Sequence, residues 1–399
     1  MAANTHTSTN TSPQFDVIIV GGGLAGLTAS IALGKAGKNV LLLEKKSYPY
    51  HKVCGEYVSN EVLQYLGSLG FNPFAFGAAT ISKLRISDPA GRNIHADLDT
   101  GAFALSRYAM DYQLAQLAMR CGVQLLTNTR VTDILFDGNL FTVNAGTTTY
   151  TSNFVIGSWG KRETLDKKLH RPFMDEHTRY MGVKYHVRTD YPVDEIGLDN
   201  FAGGYCGIVK IESDRHNLCN FYRRPKNAAR HTSIEQFQEE VVFRNPVIRN
   251  IFRNSDFLFD APVTINEVCF APKAAVEQHI LMCGDTAGLI TPLCGNGMSM
   301  AITAAKLLTD ILLTSGMVGL KPIPSAKRAQ LEQAYTKAWN RKFKQRLFIG
   351  RMVQGLSGNT HLTNAALRTM HAIPALERSL IKATHGEAVG INTADQDNQ

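Results

Sequence analysis

The stretch Phe15–Glu44 constrains this chain more than any other. Phe15–Val20 (FDVIIV) is an almost wholly apolar run crowded with β-branched residues, the pattern of a parallel strand buried on both faces. It runs into Gly21-Gly22-Gly23-Leu24-Ala25-Gly26, then a helical segment, Leu27–Ala36, and a second apolar run, Asn39–Glu44 (NVLLLE). This is a βαβ unit of about 30 residues, and its first turn reads G-x-G-x-x-G. Gly21 permits the tight turn, Gly23 lets the backbone approach a pyrophosphate, and Gly26 lets helix and strand close on each other. The helix N-terminus, with Leu24 and Ala25, faces the phosphates. An acidic residue roughly 20 positions on is expected to take ribose hydroxyls. Glu44 ends the second strand at about that distance, with Lys45 beside it as a further contact. A Glu there, rather than an Arg, favours a free 2′-hydroxyl, hence FAD or NAD rather than NADP. A glycine-rich turn of an unrelated α/β protein would leave Glu44 unexplained.

The same stretch imitates a membrane span, because only Asp16, Thr28 and Ser30 interrupt apolar and glycine residues from Phe15 to Leu33. Three consecutive glycines would break a spanning helix near its middle, so strand, turn and helix account for it better. With 399 residues, 44% hydrophobic and 19% charged, the chain has the balance of a folded globular protein. It is long enough for two cores, or for one large domain with an insertion. Its 42 Lys and Arg exceed its 34 Asp and Glu, a net charge of +8 that suits an anionic cofactor, substrate or membrane surface. No basic run or nucleic-acid motif accompanies that charge, which argues against DNA or RNA as a partner. Seven cysteines lie scattered without a C-x-x-C pair, a pattern that fits free thiols in a reducing cytoplasm. No metal-ligand spacing and no Ser/His/Asp order stands out among the twelve histidines.

Residues 1–14 are rich in Thr, Asn and Ser and read as a disordered lead-in rather than a signal peptide. Segments 15–80, 104–165 and 270–315 are assigned to the dinucleotide-binding domain. The helix Tyr108–Cys121, ending at Gly122, belongs to it, as do the short strand His279–Cys283 and the buried helix Met298–Leu313. Segments 81–103 and 166–269 alternate apolar and polar residues between turn signals, the pattern of antiparallel strands in a substrate domain. Residues 316–390 are helical in character and 391–399 form a polar tail. The fold class that follows is α/β: a Rossmann-type domain interleaved with an antiparallel-sheet domain, then C-terminal helices.

A second signature follows the His279–Cys283 strand. Cys283-Gly284-Asp285-Thr286-Ala287-Gly288 leads through Pro292 to Gly295-Asn296-Gly297-Met298 and a helix. An Asp at a strand end accepts hydrogen bonds from sugar or ribityl hydroxyls. A Gly-x-Gly turn opening a helix offers N–H groups and a positive dipole end to an electron-rich ring edge. Together with Lys52-Val53-Cys54-Gly55, these motifs resemble the geranylgeranyl reductase family, within the p-hydroxybenzoate-hydroxylase-fold flavoproteins, over roughly Asp16 to Leu313. The resemblance implies FAD as the cofactor. It implies that Asp285 contacts the FAD sugar-phosphate chain and that the Gly295–Met298 amides line the isoalloxazine. It also implies that Arg107, in Ser106-Arg107-x-x-x-Asp111, touches the FAD and that Val131, in Thr129-Arg130-Val131, sits by the adenine.

The resemblance places Cys54 near flavin and substrate, where it either assists protonation or shapes the cavity; read from the residues alone, it is equally a small buried hydrophobe. Three departures limit the reading. The Tyr-x-Trp-x-x-Pro-type motif of the reductases corresponds here to Gly204-Tyr205-Cys206-Gly207-Ile208-Val209, without Trp or Pro. The acidic D-G motif is replaced by Gly157-Ser158-Trp159-Gly160-Lys161-Arg162, and the Trp-x-Trp-x-x-Pro motif of flavin-dependent halogenases is absent. Two reactions stay open. One is flavin-hydride reduction of carbon–carbon double bonds in a hydrophobic substrate, with Cys54 or Tyr205 near the proton path. The other is NAD(P)H- and oxygen-dependent hydroxylation of an aromatic or polyketide-like substrate. A non-catalytic flavin-binding protein is the third reading, and the intact ring-edge signatures argue against it. No second G-x-G-x-x-G appears, so NADPH or NADH is expected as a transient donor. The cations around Trp339, Phe343, Leu347 and Phe348 read either as a solvated helix packed on the core or as a basic amphipathic helix at the inner membrane face.

Overall fold

The computed structural model describes residues 13–224, 233–357 and 389, and two sheets organise them. In the eight-stranded first sheet, Gln14–Val20 lies parallel to Val40–Leu43 on one side and to Thr148–Gly157 on the other. Gln124–Leu126 and Ile280–Met282 extend the parallel order outward, and the hairpin Val131–Phe136/Phe141–Ala145 adds antiparallel strands. Val17, Ile18, Ile19, Leu41, Leu42 and Ile156 have no exposed surface. The central strands are buried on both faces, which is why FDVIIV and NVLLLE read as continuous apolar runs.

The first helix spans Leu24–Lys35 and starts three residues before the segment its periodicity marks. Gly23 is its N-cap in extended backbone, so Leu24, Ala25 and Gly26 form the first helical turn. Arg107–Arg120 and Gly297–Thr314 pack on this helix. Among the described residues, Gly297–Thr314 is the one helix with the length and composition to cross a membrane, and most of it is buried. The 316–390 stretch continues as the helix Ser325–Ser357. The lead-in up to residue 12, residues 358–388 and 390 of that stretch, and the 391–399 tail lie outside the described residues.

The second sheet has nine strands, in the order Asp256–Phe257, Tyr180–Arg188, Arg215–Arg223, Gly204–Ile211, Glu195–Phe201, Ala79–Ser87, Asn93–Ala104 and Tyr57–Ser59, with Val263–Asn266 also on Tyr180–Arg188. Its pairs are antiparallel except Glu195–Phe201 with Ala79–Ser87, which run parallel. Between those two strands the chain passes through much of the first sheet, so no hairpin spacing dictates their direction. Tyr57–Ser59, inside the 15–80 stretch, is the edge strand of this sheet. The helices Ile234–Glu240 and Pro246–Arg253 set Phe237, Ile248 and Phe252 against Tyr185, Phe201 and Tyr222.

Residues 52–56 strap the two halves together. Lys184 and His186, fully buried on Tyr180–Arg188, both point at the equally buried Glu56. Lys184 Nζ pairs with Glu56 Oε1, which also accepts the Arg107 backbone N–H at 2.7 Å, and His186 Nε2 lies 2.8 Å from Oε2. Lys184 Nζ also donates to the Lys52 carbonyl at 3.2 Å, and Asn217 Nδ2 donates to the carbonyls of Cys54 (3.1 Å) and Gly55 (2.9 Å). Burial by itself raises the Glu56 carboxyl, but the Lys184 ammonium and the His186 hydrogen bond outweigh it and hold it down at about 2.

Removing one partner leaves the other charge buried and unpaired. Glu56→Gln is expected to cost about 3–5 kcal/mol of stability, read from urea unfolding, whereas Glu56→Gln with Lys184→Met costs less than Glu56→Gln alone. Because the folded pKa of Glu56 lies below its ordinary 4.5, its contribution is complete above that pH and fades as pH falls toward 2. The acid limb of stability against pH is therefore shallower in the variant than in the native chain.

Candidate active site

A cavity of about 710 Å³ lies between the sheets, within the range of roughly 300–1,000 Å³ usual for small-molecule sites. At one end stands the glycine turn. Gly21 has φ +103°, and a Cβ there would lie 2.5 Å from the Ser158 carbonyl oxygen; a Cβ on Gly26 would lie 2.1 Å from the Gly21 oxygen. Gly26 thus serves helix–strand approach and does not line the cavity, while Gly21, Gly23, Leu24 and Ala25 do. A Cβ on Gly23 would find no atom nearer than Arg107 Nη2 at 3.9 Å, so this backbone is open to a ligand. The first-turn N–H groups of the helix have no intrahelical acceptors and face the same space.

Glu44 lines the cavity and braces the turn: Oε2 accepts Gly22 N–H at 2.7 Å and Oε1 accepts Lys46 N–H at 3.0 Å. Lys45 lines the cavity while pairing with Glu163, and Arg130 and Val131 line it beyond them. Arg107 is aimed by a two-point bond to Asp111, through Nε and Nη2 at 2.8 Å each, and Lys52 Nζ reaches the same carboxylate at 2.8 Å. Burial pushes the Asp111 carboxyl up, but these two cations outweigh it and keep it below its ordinary value. A guanidinium and an ammonium therefore stand beside the open Gly23 backbone, which suits a pyrophosphate.

Asp285 lines the cavity, and among the described residues no donor reaches its carboxylate, which leaves both oxygens for ligand hydroxyls. Its position is held from behind by Lys273, whose Nζ donates to the carbonyls of Asp285 (2.9 Å) and Lys161 (2.8 Å). Burial lowers the Lys273 ammonium to about 8. Gly295, Gly297 and Met298 line the cavity at the start of the helix Gly297–Thr314, whereas Asn296 is fully buried and does not. The cradle fits FAD. Glu44, Lys45 and Val131 suit the adenosine end, Gly23–Ala25 and Arg107 the pyrophosphate, and Asp285 the sugar-phosphate chain. The helix start at Gly297 suits the electron-rich ring edge.

Cys54 and Tyr205, far apart in sequence, line the same cavity. Cys54 Sγ lies 3.5 Å from the Glu56 N–H, a loose contact. Burial pushes the Tyr205 phenol well above its ordinary value, with nearby thiols adding to it. Its hydroxyl makes no hydrogen bond with any described residue. Beyond them the wall turns apolar, through Leu84, Ile86, Leu98, Ile196, Leu198 and Val209 of the second sheet.

Other residues of the site carry no motif. Ser158, which stands where an acidic D-G motif was sought, locks the glycine turn: its N–H donates to Val20 O at 2.8 Å and its Oγ to Gly21 O at 2.8 Å. His51 lines the cavity, stacked on Tyr108 with centroids 4.6 Å apart, and burial followed by the Lys184 and His186 charges lowers it to about 4. Cys219, Cys283 and Cys294 also line the cavity. No motif marks Glu56, Lys184 or His186, which only the fold brings together.

Residues 14–315 match the FAD binding domain family. A conditioned medium factor receptor of Dictyostelium discoideum is 24% identical over 75% of this chain, which spans 63% of that protein's length. A menaquinone reductase of Mycobacterium tuberculosis is 22% identical over 78% of this chain and 80% of its own. A digeranylgeranylglycerophospholipid reductase of Methanothermobacter thermautotrophicus is 25% identical over 75% of this chain and 77% of its own. The solved structure of the flavin-dependent brominase Bmp2 superposes with a TM-score of 0.74 at 17% identity over 93% of both chains, a likeness of fold.

Asp285→Ala removes charge-assisted hydrogen bonds to the cofactor, an effect of about 1.5–3 kcal/mol. FAD affinity, measured by fluorescence titration, should weaken about 10- to 100-fold. Unchanged affinity would remove Asp285 from the cradle.

Proposed function

The chain belongs to the FAD binding domain family and is an FAD-dependent oxidoreductase, and we propose that its reaction is reduction of carbon–carbon double bonds in a hydrophobic small molecule. The observation that carries this reading is the continuity of one cavity, from a cationic cradle to an apolar lobe, with Cys54 and Tyr205 between. Bound and reduced, FAD supplies two electrons as a hydride to one alkene carbon; the other carbon needs a proton. The Tyr205 hydroxyl, bonded to no described residue and held protonated by burial, is suited to give that proton and to regain it from water. Cys54 shapes the wall beside it. The apolar lobe binds and orients the substrate, and the second sheet keeps water from the reacting carbons. NADPH or NADH is proposed as the transient electron source. All seven cysteines are free, which agrees with a reducing cytoplasmic setting.

The named reductases among its relatives act, by their names, on a quinone and on an isoprenoid lipid, and both support an apolar substrate here. The deciding experiment is mass spectrometry of hydrophobic extracts incubated with purified enzyme and NADPH, with and without oxygen. A product gaining two hydrogens, formed equally without oxygen, supports the reductase. A product gaining one oxygen, only in air, replaces it with the monooxygenase.

Tyr205→Phe should lower turnover about 100-fold while leaving FAD binding intact. Because the phenol titrates well above its ordinary value, its loss of a proton should not limit the rate at any pH up to 9. Cys54→Ser should change turnover less than Tyr205→Phe does. A Tyr205→Phe variant at full rate, in single-turnover assays, would remove the tyrosine from the proton path.

A further inference from the structure

We propose that the outer face of the helix Ser325–Ser357 docks on an anionic lipid bilayer, beside the wall of the cavity. Between Gln333 and Ser357 the chain carries six cations, Lys337, Arg341, Lys342, Lys344, Arg346 and Arg351, and no Asp or Glu. The helix has two faces. Leu331, Tyr335, Trp339 and Phe343, four residues apart, are buried, and Tyr335 Oη donates to the Met282 carbonyl at 2.6 Å. Arg346 turns inward, 3.7 Å from Glu61. On the opposite face Lys337, Arg341 and Lys344 are exposed. Helical spacing puts Phe348 and Met352 in line with them, at 56% and 55% exposed.

Two large exposed apolar side chains in line with cations that no described residue pairs fit a membrane interface: cations among anionic headgroups, apolar tips at the acyl boundary. A single-signed stretch of helix complements an anionic surface and repels a second copy of itself. The inner side of the same helix packs behind the site. A Cβ on Gly350 would lie 3.3 Å from the side chains of Ile290 and Thr291, and one on Gly288 would lie 2.8 Å from Leu347. Thr291 Oγ1 hydrogen-bonds Gln354. Leu289, Ile290, Pro292 and Leu293 line the cavity, so the inner face of this helix backs the segment that forms part of the cavity wall. Delivery of an apolar substrate from bilayer to site rests on the reading proposed above; the docking face itself does not.

The test uses the full-length FAD-loaded protein and no substrate, sedimented with phosphatidylcholine vesicles and with vesicles one-third phosphatidylglycerol. Binding is expected to be at least tenfold stronger on the anionic vesicles and to fall as salt is raised. Lys337→Glu with Arg341→Glu and Lys344→Glu should abolish it, and Phe348→Ser with Met352→Ser should weaken it at every salt concentration. Flavin content and melting temperature should stay unchanged in both variants, since every altered side chain is exposed. Equal partition onto both vesicle types would overturn the proposal, as would binding indifferent to the charge reversal or a stable dimer that buries Phe348 and Met352. Because no substrate is present, vesicle binding holds or fails apart from the proposed reaction, which the extract experiment with NADPH decides separately.

Discussion

The buried carboxylate of Glu56 holds the site in place. It touches the second sheet through Lys184 and His186 and the cofactor-binding half through the Arg107 N–H. A lone carboxylate in this position would be prohibitively costly to desolvate. With a cation, an imidazole and a backbone N–H around it, it stays ionised and fixes the spacing of the two sheets, and so the shape of the cavity between them. The same strap carries Lys52 and Cys54, so the cation beside the pyrophosphate cradle and the thiol at the substrate end are positioned by one set of contacts. Whether this ion cluster adds net stability over an apolar substitute is secondary to its geometric role.

The cavity is divided by chemistry along its length. Its cofactor end concentrates dipoles and charges: the N-terminal turns of two helices, the paired Arg107 and Lys52, and the free carboxylate of Asp285. Its far end is a sheet face of aliphatic side chains. A polar end suits a dianionic cofactor, and an apolar end excludes water from the ring it faces. Tyr205 sits where the two regimes meet, on a strand whose burial keeps its proton in place.

Much of this was legible in the sequence because it is local. The glycine turn, the two apolar runs and Glu44 lie within about 30 residues of each other, and they form the strand, turn, helix and strand that the spacing required, with the helix beginning at Leu24 and Glu44 bracing the turn. The Gly284–Met298 signature was legible for the same reason, although Asn296 turns out to be buried away from the cavity. Tyr205 and Cys54 were marked by a family resemblance, and the fold brings both to one cavity. Harder to see was the second sheet, whose parallel pair joins Ala79–Ser87 to Glu195–Phe201 across a chain excursion that no hairpin rule covers.

The sequence by itself determined the βαβ unit and a dinucleotide cradle, since these rest on short-range spacing and backbone conformations that only certain residues adopt, while FAD and the oxidoreductase class came through the family resemblance of its motifs. The tertiary structure alone decided that Lys184 and His186 would meet Glu56, that Ser158 would lock the glycine turn, and that an aliphatic sheet face would close the far end of the cavity. Those contacts join residues more than a hundred positions apart, and a buried charge is tolerated only once its partners arrive. No local pattern records which distant side chain will be that partner.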